Sequence, residues 1–297
     1  MKSVCFVSVV HQNVRGFLKE FLQSLYNQTY DSYDVILFND GLNKKEIYDY
    51  FPKFKFRIID VVGSPNEIRN QVISFLINSD YQYCVFGDAD DFFENNRIEA
   101  NIKLLKNYDI VANDVHLVNS RGELLHKNYF SNRLSNLKLI DPDFIFDKNI
   151  FGLGNTAIRI SLLSDRLFVS ENVLAVDWQI FSRILLMNDA RAIFTNNTGI
   201  YYRQYDGNMI GLDSLDLEKL NFMVNVKIEH YRTLLKFTDL FNKKLASYIE
   251  LKTYLLDKEN SVKYLNKIKV VKASFPLWWE EIKTLEELDY ESSDHFK

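Results

Sequence analysis

The first hundred residues switch repeatedly between two hydrophobic periods, and few architectures accept that alternation. A β-branched run from Val4 to Val10 gives way to Phe17, Leu18, Phe21, Leu22 and Leu25 at helical spacing, so a strand is followed by a helix. The exchange recurs with a strand over Val35 to Phe38, a turn at Asp40-Gly41, a short helix from Asn43 to Phe51 and a strand from Phe56 to Val62. A helix from Asn66 to Ile77 and a strand from Tyr83 to Phe86 complete the series. Strands separated by helices of this length build a parallel sheet from βαβ units. Such sheets bind ligands beyond the carboxyl ends of their strands. Here those positions are polar or acidic: His11, Gln12 and Asn13, then Asn39 and Asp40, then Asp88, Asp90 and Asp91.

Between Asn101 and Arg203 the signals are mixed, with strands expected over Ile110 to Ala112, Thr156 to Ile160 and Ile193 to Thr195 and a helix over Asp177 to Met187. This texture continues the same domain. From Ser214 onward the strand signal vanishes, and Leu217, Leu220, Phe222, Val224, Ile228, Tyr231 and Leu235 are spaced for helices. The expected division is therefore a mostly parallel α/β domain over residues 1–212 and a helical extension over 213–297. A 47% hydrophobic content supports a sizeable core and excludes intrinsic disorder. Lys+Arg 36 against Asp+Glu 40 gives a net charge of -4, which excludes a dedicated nucleic-acid binder as partner. The two cysteines, Cys5 and Cys84, each sit in an apolar run and read as reduced core residues of a reducing compartment. No stretch approaches the roughly 18 apolar residues of a membrane span, so the expected location is cytoplasmic, or peripheral at the inner face of the cytoplasmic membrane.

The segment Phe86-Gly87-Asp88-Ala89-Asp90-Asp91 concentrates three carboxylates directly after an apolar strand. An Asp-x-Asp pair can hold Mg²⁺ or Mn²⁺ against a diphosphate, because hard divalent ions take carboxylate oxygens and leave positions open for phosphate. The same acids also suit the first turn of a helix running through Arg97, Ile98 and Leu104. More specific is the whole series of motifs: Val7 to Asn13, Phe17-Leu18, Ser24-Leu25-Tyr26-Asn27-Gln28-Thr29-Tyr30, Asn39-Asp40-Gly41, Ile68-Arg69-Asn70, and Asp88-Ala89-Asp90-Asp91 followed by Arg97. In order and spacing it resembles the inverting glycosyltransferases of family 2, which have the GT-A fold. The resemblance covers residues 3 to 205.

It implies a Rossmann-like GT-A sheet flanked by helices, and a nucleotide-sugar site. Val10, His11, Asn13, Asp40, Arg69, Asp88 and Ala89 would line the donor, with Asp40 on base or ribose and Arg69 near the nucleotide. Asp90 would ligate Mn²⁺ or Mg²⁺. Val176-Asp177-Trp178 resembles the segment whose aspartate serves as catalytic base, which makes Asp177 the candidate to deprotonate the acceptor. Helix capping is the competing reading of Asp177. Gly154, Asn155 and Trp178 would line the acceptor or sugar pocket, although Trp178 also fits a core position. Arg203, in Tyr201-Tyr202-Arg203-Gln204-Tyr205, becomes a candidate phosphate contact, with the following Gly207-Asn208-Met209 as a loop that folds over the diphosphate. Several positions depart from the family pattern: Val10-His11-Gln12 replaces the usual end of the first strand, Asn95 the proline after the acidic motif, Val176 a second acid, and Tyr205 a histidine found in many relatives.

The resemblance thus implies metal-dependent, inverting transfer of a sugar from a nucleotide diphosphate, UDP first, to a hydroxyl on a glycan or lipid-linked acceptor. Bacterial surface-glycan synthesis is the setting it implies most often. Two other readings differ in class: a catalytically silent module that binds sugar nucleotides or scaffolds other enzymes, and a nucleotidyltransferase, which would need a glycine-rich loop where this chain has His11 to Gly16. In the extension, Lys243, Lys244, Lys252, Lys258, Lys263, Lys267, Lys269 and Lys272 interleave with apolar residues. Phe275-Pro276-Leu277-Trp278-Trp279 follows as an aromatic cluster expected to be exposed. A packed cap or self-association surface is favoured there over peripheral membrane contact.

Overall fold

The computed structural model describes residues 2–52, 54–205, 215–271 and 273–294. The donor-loop candidates Gly207, Asn208 and Met209 lie outside them. Alternating periods become alternating elements: β1 (Val4–His11), α1 (Leu18–Tyr26), β2 (Tyr33–Asp40), α2 (Lys44–Tyr50), β3 (Phe56–Asp60), α3 (Pro65–Ile77) and β4 (Tyr83–Phe86). Helix α3 begins where the sequence stipulates it, with Ser64 and Glu67 forming a reciprocal capping box and Pro65 in the first turn. Then come β5 (Phe92–Phe93), α4 (Arg97–Leu105), β6 (Ile110–Asn119), β7 (Leu124–His126), β8 (Lys138–Ile140), β9 (Thr156–Arg159), α5 (Val176–Met187) and β10 (Ala192–Gln204). Four helices close the chain: α6 (Leu217–Leu234), α7 (Asn242–Tyr254), α8 (Lys258–Val271) and α9 (Leu285–Asp294).

The strands make one sheet in the order β3-β2-β1-β4-β9-β6-β10-β5, with β7 on β6 and β8 on β10. The β3-β2-β1-β4 half is parallel throughout, as the βαβ pattern requires. Beyond it, β9 runs antiparallel to both β4 and β6, while β6 and β10 are parallel. Cys5 and Cys84 are register partners on adjacent strands, buried and unoxidised.

Contacts divide the chain into two compact units. Unit 1 takes the described residues of 1–142, 151–171 and 184–211, and unit 2 those of 143–150, 172–183 and 212–297. The helical extension therefore does not stand alone, because two segments from the middle of the chain pack with it. Its aromatic run is not an exposed cluster: Leu277 and Trp279 are 2% and 3% exposed. The reason is that unit 2 has its own core, to which they contribute alongside Tyr231, Tyr248 and Tyr264. Among the described residues, no helix is long and apolar enough to cross a membrane.

Candidate active site

Parallel pairing brings the polar strand ends together. His11 is the register partner of Asp40, and Val10 of Asn39. Asn39 is buried and builds the turn that follows: its amide donates to the Leu42 carbonyl (2.9 Å) and Asp60 Oδ1 (3.0 Å), and its Oδ1 accepts from the Leu42 amide (3.0 Å). Gln12 Nε2 donates to the Gly41 carbonyl at 2.8 Å, tying the first strand's end to the second's. His11 and Asp40 are half-buried and Asn13 is exposed. The Val10 side chain is fully buried, so at that position only main chain can face a ligand.

The acidic motif leaves β4 through Gly87. A Cβ there would stand 2.3 Å from the Phe6 ring and 2.6 Å from the Phe93 ring, so only glycine lets the chain turn between them. Gly154 approaches from the opposite side. A Cβ on it would come within 2.7 Å of Asp88 Oδ2, which brings the predicted pocket glycine and the predicted ribose acid into direct proximity. Ala89 is buried and acts as packing rather than as a contact surface.

Two arginines hold the motif. Arg97 has no exposure, and its Nη2 donates to the carbonyls of Phe86 (2.7 Å) and Gly154 (2.8 Å) and its Nε to Asn113 Oδ1 (3.0 Å). Its guanidinium also lies 4.6 Å over the Phe93 ring. Burial brings its pKa down to about 9, opposed by the charges of Asp91 and Asp88, so it stays cationic beneath the carboxylates at neutral pH. Asn113 exchanges amide hydrogen bonds with Asn101 at 2.9 and 2.8 Å. Asn155, fully buried, donates to the Asn113 carbonyl and accepts from the Gly152 amide, both at 2.8 Å. The Asn155 side chain is therefore consumed in shaping the turn that presents Gly154 and does not itself line a pocket.

Arg203 corrects a second expectation. Rather than facing a phosphate, its side chain is 1% exposed, because protein acceptors surround it. Its Nε donates to the Asp90 carbonyl (2.7 Å), its Nη1 to the Ser120 carbonyl (3.0 Å), and its Nη2 pairs with Glu20. Its amide donates to Asp91 Oδ1 at 2.8 Å. The guanidinium sits 4.5 Å over Phe17 and 5.5 Å over Phe92. Asp91 is almost fully buried, and burial, then the charges of Asp90 and Asp88, pushes its pKa well above the usual carboxylate range. Asp90 stays half-buried, and Tyr205 donates its hydroxyl to Asp90 Oδ2 at 2.8 Å. Where the family resemblance implies a histidine, a phenol here touches the candidate metal ligand.

Arg69 does not join this group: on α3 its Nη1 donates to the Pro65 carbonyl of its own first turn (3.3 Å). Asp177 and Trp178 belong to unit 2. Asp177 is half-buried at the start of α5, where its Oδ1 accepts from the Trp178 amide at 2.7 Å. Trp178 has no exposure and does not wall a pocket. Its indole donates to the Ile145 carbonyl at 2.7 Å and stacks on His230 at 3.7 Å and 12°. From sequence, Arg97 is named only as the residue following the acidic motif, and Asn113, Asn101 and Glu20, the other residues that hold it, have no role assigned. A cation at the first position of the helix that follows three acids was the available signal for Arg97.

A model of glycosyl transferase family 2 matches residues 6–165. The chain belongs to glycosyl transferase family 2. The match carries β1 through β9, and with them every carboxylate of the acidic motif. A curated relative, the glycosyltransferase GlyA of Streptococcus pneumoniae, is 25% identical over 138 residues, which cover 43% of this chain and 20% of that protein. The chain thus spans well under two thirds of that relative's length. In fold, the chain is similar to S. aureus TarS 1-349 in complex with UDP-GlcNAc, with a TM-score of 0.59 at 14% identity, covering 91% of this chain and 76% of that one. It is also similar to GalNAc-T7 with UDP, GalNAc and Mn²⁺, with a TM-score of 0.57 at 13% identity over 99% and 58% of the two chains. The fold of this family 2 member is GT-A, with a C-terminal helical region.

Proposed function

We propose that this chain transfers a sugar from a nucleoside diphosphate donor, UDP-linked, to a hydroxyl of a glycan or lipid-linked acceptor, with inversion at the anomeric carbon. The observation that carries the reading is the convergence in unit 1 of His11, Asp40, Asp88, Asp90 and Gly154 at the ends of β1, β2 and β4, over an internal arginine cation. His11 and Asp40 flank the nucleoside, and Gly154 gives main chain access beside Asp88. Among the described residues no group of three His, Cys, Asp or Glu side chains is arranged to hold a metal by itself. That fits Mn²⁺ or Mg²⁺, which takes one or two carboxylates and completes its shell with phosphate and water. Asp90, with Asp88 beside it, would hold the ion, whose chemistry is to neutralise charge on the departing diphosphate. Asp177 accepts the acceptor's proton as the new C–O bond forms and the bond from the anomeric carbon to phosphate breaks. A surface-glycan pathway is the setting we infer for a chain of this family.

The test is thermal unfolding with UDP, GDP, dTDP and the corresponding sugar nucleotides, with and without Mn²⁺, on wild type and Asp90→Ala. A ligand that binds only the folded state raises the midpoint, by about 2.7 kcal/mol of added stability at 100 times its Kd. The expected result is a Mn²⁺-dependent rise with UDP that Asp90→Ala abolishes. No rise with any nucleotide overturns the proposal. A rise without turnover on any acceptor or water would instead support a catalytically silent sugar-nucleotide module.

A further inference from the structure

The helices after residue 215 contribute buried groups that the proposed chemistry does not use, and these surround the residue next to Asp177. On one face of α6, Lys227, His230, Tyr231 and Leu234 follow at helical spacing and are all buried. Lys227 Nζ donates to the Asp147 carbonyl at 2.7 Å and lies 5.9 Å over the Trp178 ring and 5.1 Å over Tyr248. His230 stacks nearly parallel on Trp178, and Tyr231 meets the same indole edge-on at 6.2 Å. Trp178 in turn donates to the carbonyl of Ile145, two residues before Asp147. Segment 143–150 is therefore held at two carbonyls, once from α5 and once from α6. Asp177 is fixed to the same assembly through the Trp178 amide.

This arrangement is costly to bury. Among the described residues, neither ring nitrogen of His230 has a partner, and the hydroxyl of Tyr231, the Ser182 hydroxyl and both amide atoms of Gln179 are likewise buried without one. A leucine-packed helix pair would fill the same space without that cost. What the polar set supplies is direction. A donor to a single carbonyl and a flat ring against a flat ring fix the indole's orientation, where aliphatic packing would tolerate several.

We propose that Lys227 and His230 are positioning residues for Asp177: by clamping Trp178 and segment 145–147 within unit 2 they set the orientation of the Asp177 carboxylate. The inference rests on the proposed role of Asp177 as base. It also explains why 143–150 and 172–183 group with the C-terminal helices.

The experiment compares Asp177→Asn, Lys227→Met, His230→Ala and His230→Phe in the full chain. UDP release from UDP-GlcNAc with water as acceptor gives kcat and KM, and amide exchange of peptides spanning 143–150 and 172–183 reports the clamp directly. Asp177→Asn is expected to lose turnover at least 100-fold while UDP still raises the thermal midpoint. Lys227→Met and His230→Ala are expected to lower kcat at least 10-fold at unchanged KM. Both should speed exchange of the two peptides at least 10-fold, leaving peptides of β1 and β4 protected. His230→Phe keeps a flat ring against Trp178 and is expected to retain kcat within threefold. If Asp177→Asn is inactive but Lys227→Met and His230→Ala, folded at the assay temperature, keep wild-type kcat, the clamp is overturned and the base stands. If Asp177→Asn itself keeps turnover, both fall.

Discussion

Unit 1 and unit 2 each bury cations beside acidic or aromatic groups, but they satisfy them differently. Under the acidic motif, Arg97 gives hydrogen bonds to two carbonyls and an amide oxygen, and Arg203 is met by carbonyls and by Glu20. In unit 2, Lys227 donates to one carbonyl at 2.7 Å, and among the described residues His230 beside it has no hydrogen-bond partner. Arginine's fork can be answered on several sides by a fixed backbone, whereas a lone ammonium and an imidazole sandwiched against an indole cannot. The first region is consequently a rigid cradle beneath the acidic motif, and the second a packed joint whose protonation is unfavourable.

The largest effect that would break this contrast is in the cradle. Arg97→Met removes the donor from Asn113 Oδ1 and from two carbonyls and leaves three acids without their internal cation. Destabilisation of about 3–5 kcal/mol is expected, read as a lowered urea midpoint, together with loss of the UDP-induced thermal shift. A loss under 1 kcal/mol would show that the cradle is no better satisfied than the joint. Next in size is Gly154→Ala, whose methyl group must displace Asp88. It should weaken UDP binding at least 10-fold by calorimetry while costing about 1–3 kcal/mol of stability, as overpacking does.

In the joint the expected effect depends on pH. Burial, then the Lys227 charge, holds the His230 pKa well below its ordinary value, and burial brings Lys227 down to about 7. In both cases the unfolded chain binds more protons than the folded one, so stability rises with pH. For Lys227 that rise runs between about 7 and its ordinary 10.5. For His230 stability is fully present above the ordinary value of 6.5 and is lost as pH falls below it. Exchange of unit 2 peptides should therefore quicken between pH 7 and pH 5, and His230→Phe should flatten that dependence while adding about 1 kcal/mol at pH 7 by removing unpartnered nitrogens. A pH response unchanged in His230→Phe would assign it elsewhere. The smallest effect is expected from Tyr205→Phe, which removes one hydrogen bond to Asp90 and should cost about 1 kcal/mol or less, with a shift in Mn²⁺ affinity as the sharper readout.

How much of this was legible in the sequence follows from what each residue had to say locally. The first four strands and three helices fall within two residues of their expected bounds, because each apolar run has a single period and polar ends. Strand β6 reaches Asn119 although only Ile110 to Ala112 reads as strand, since the buried Asn113, Asp114 and His116 interrupt the apolar run. Strand β10 extends past Thr195 through an irregularity before Gly199, where Asn196 and Asn197 look like a turn. The antiparallel insertion of β9 between β4 and β6 has no local signature at all. At the site, the carboxylates announced themselves by clustering, and the groups that orient them did not. Arg97, Lys227 and His230 each sit in an ordinary amphipathic helix, where a charged residue reads as solvent-facing until the tertiary structure encloses it. Arg203 and Trp178 show the converse: their positions matched ligand-contacting ones, yet both are enclosed by protein.

The two carbonyls of segment 143–150 held by Trp178 and Lys227 also set an order of events during synthesis. Residues 145 and 178 leave the ribosome well before residue 227, so their joint partner does not yet exist when the sheet around them can already pair. Until α6 emerges, the Trp178 indole and its neighbours remain exposed apolar surface on a nascent chain, a state prone to aggregation. A ribosome stalled at the point where residue 215 has just left its tunnel should therefore display a chain that protects β1 to β4 from protease and is cut between 172 and 183, and release of the remaining helices should close that window.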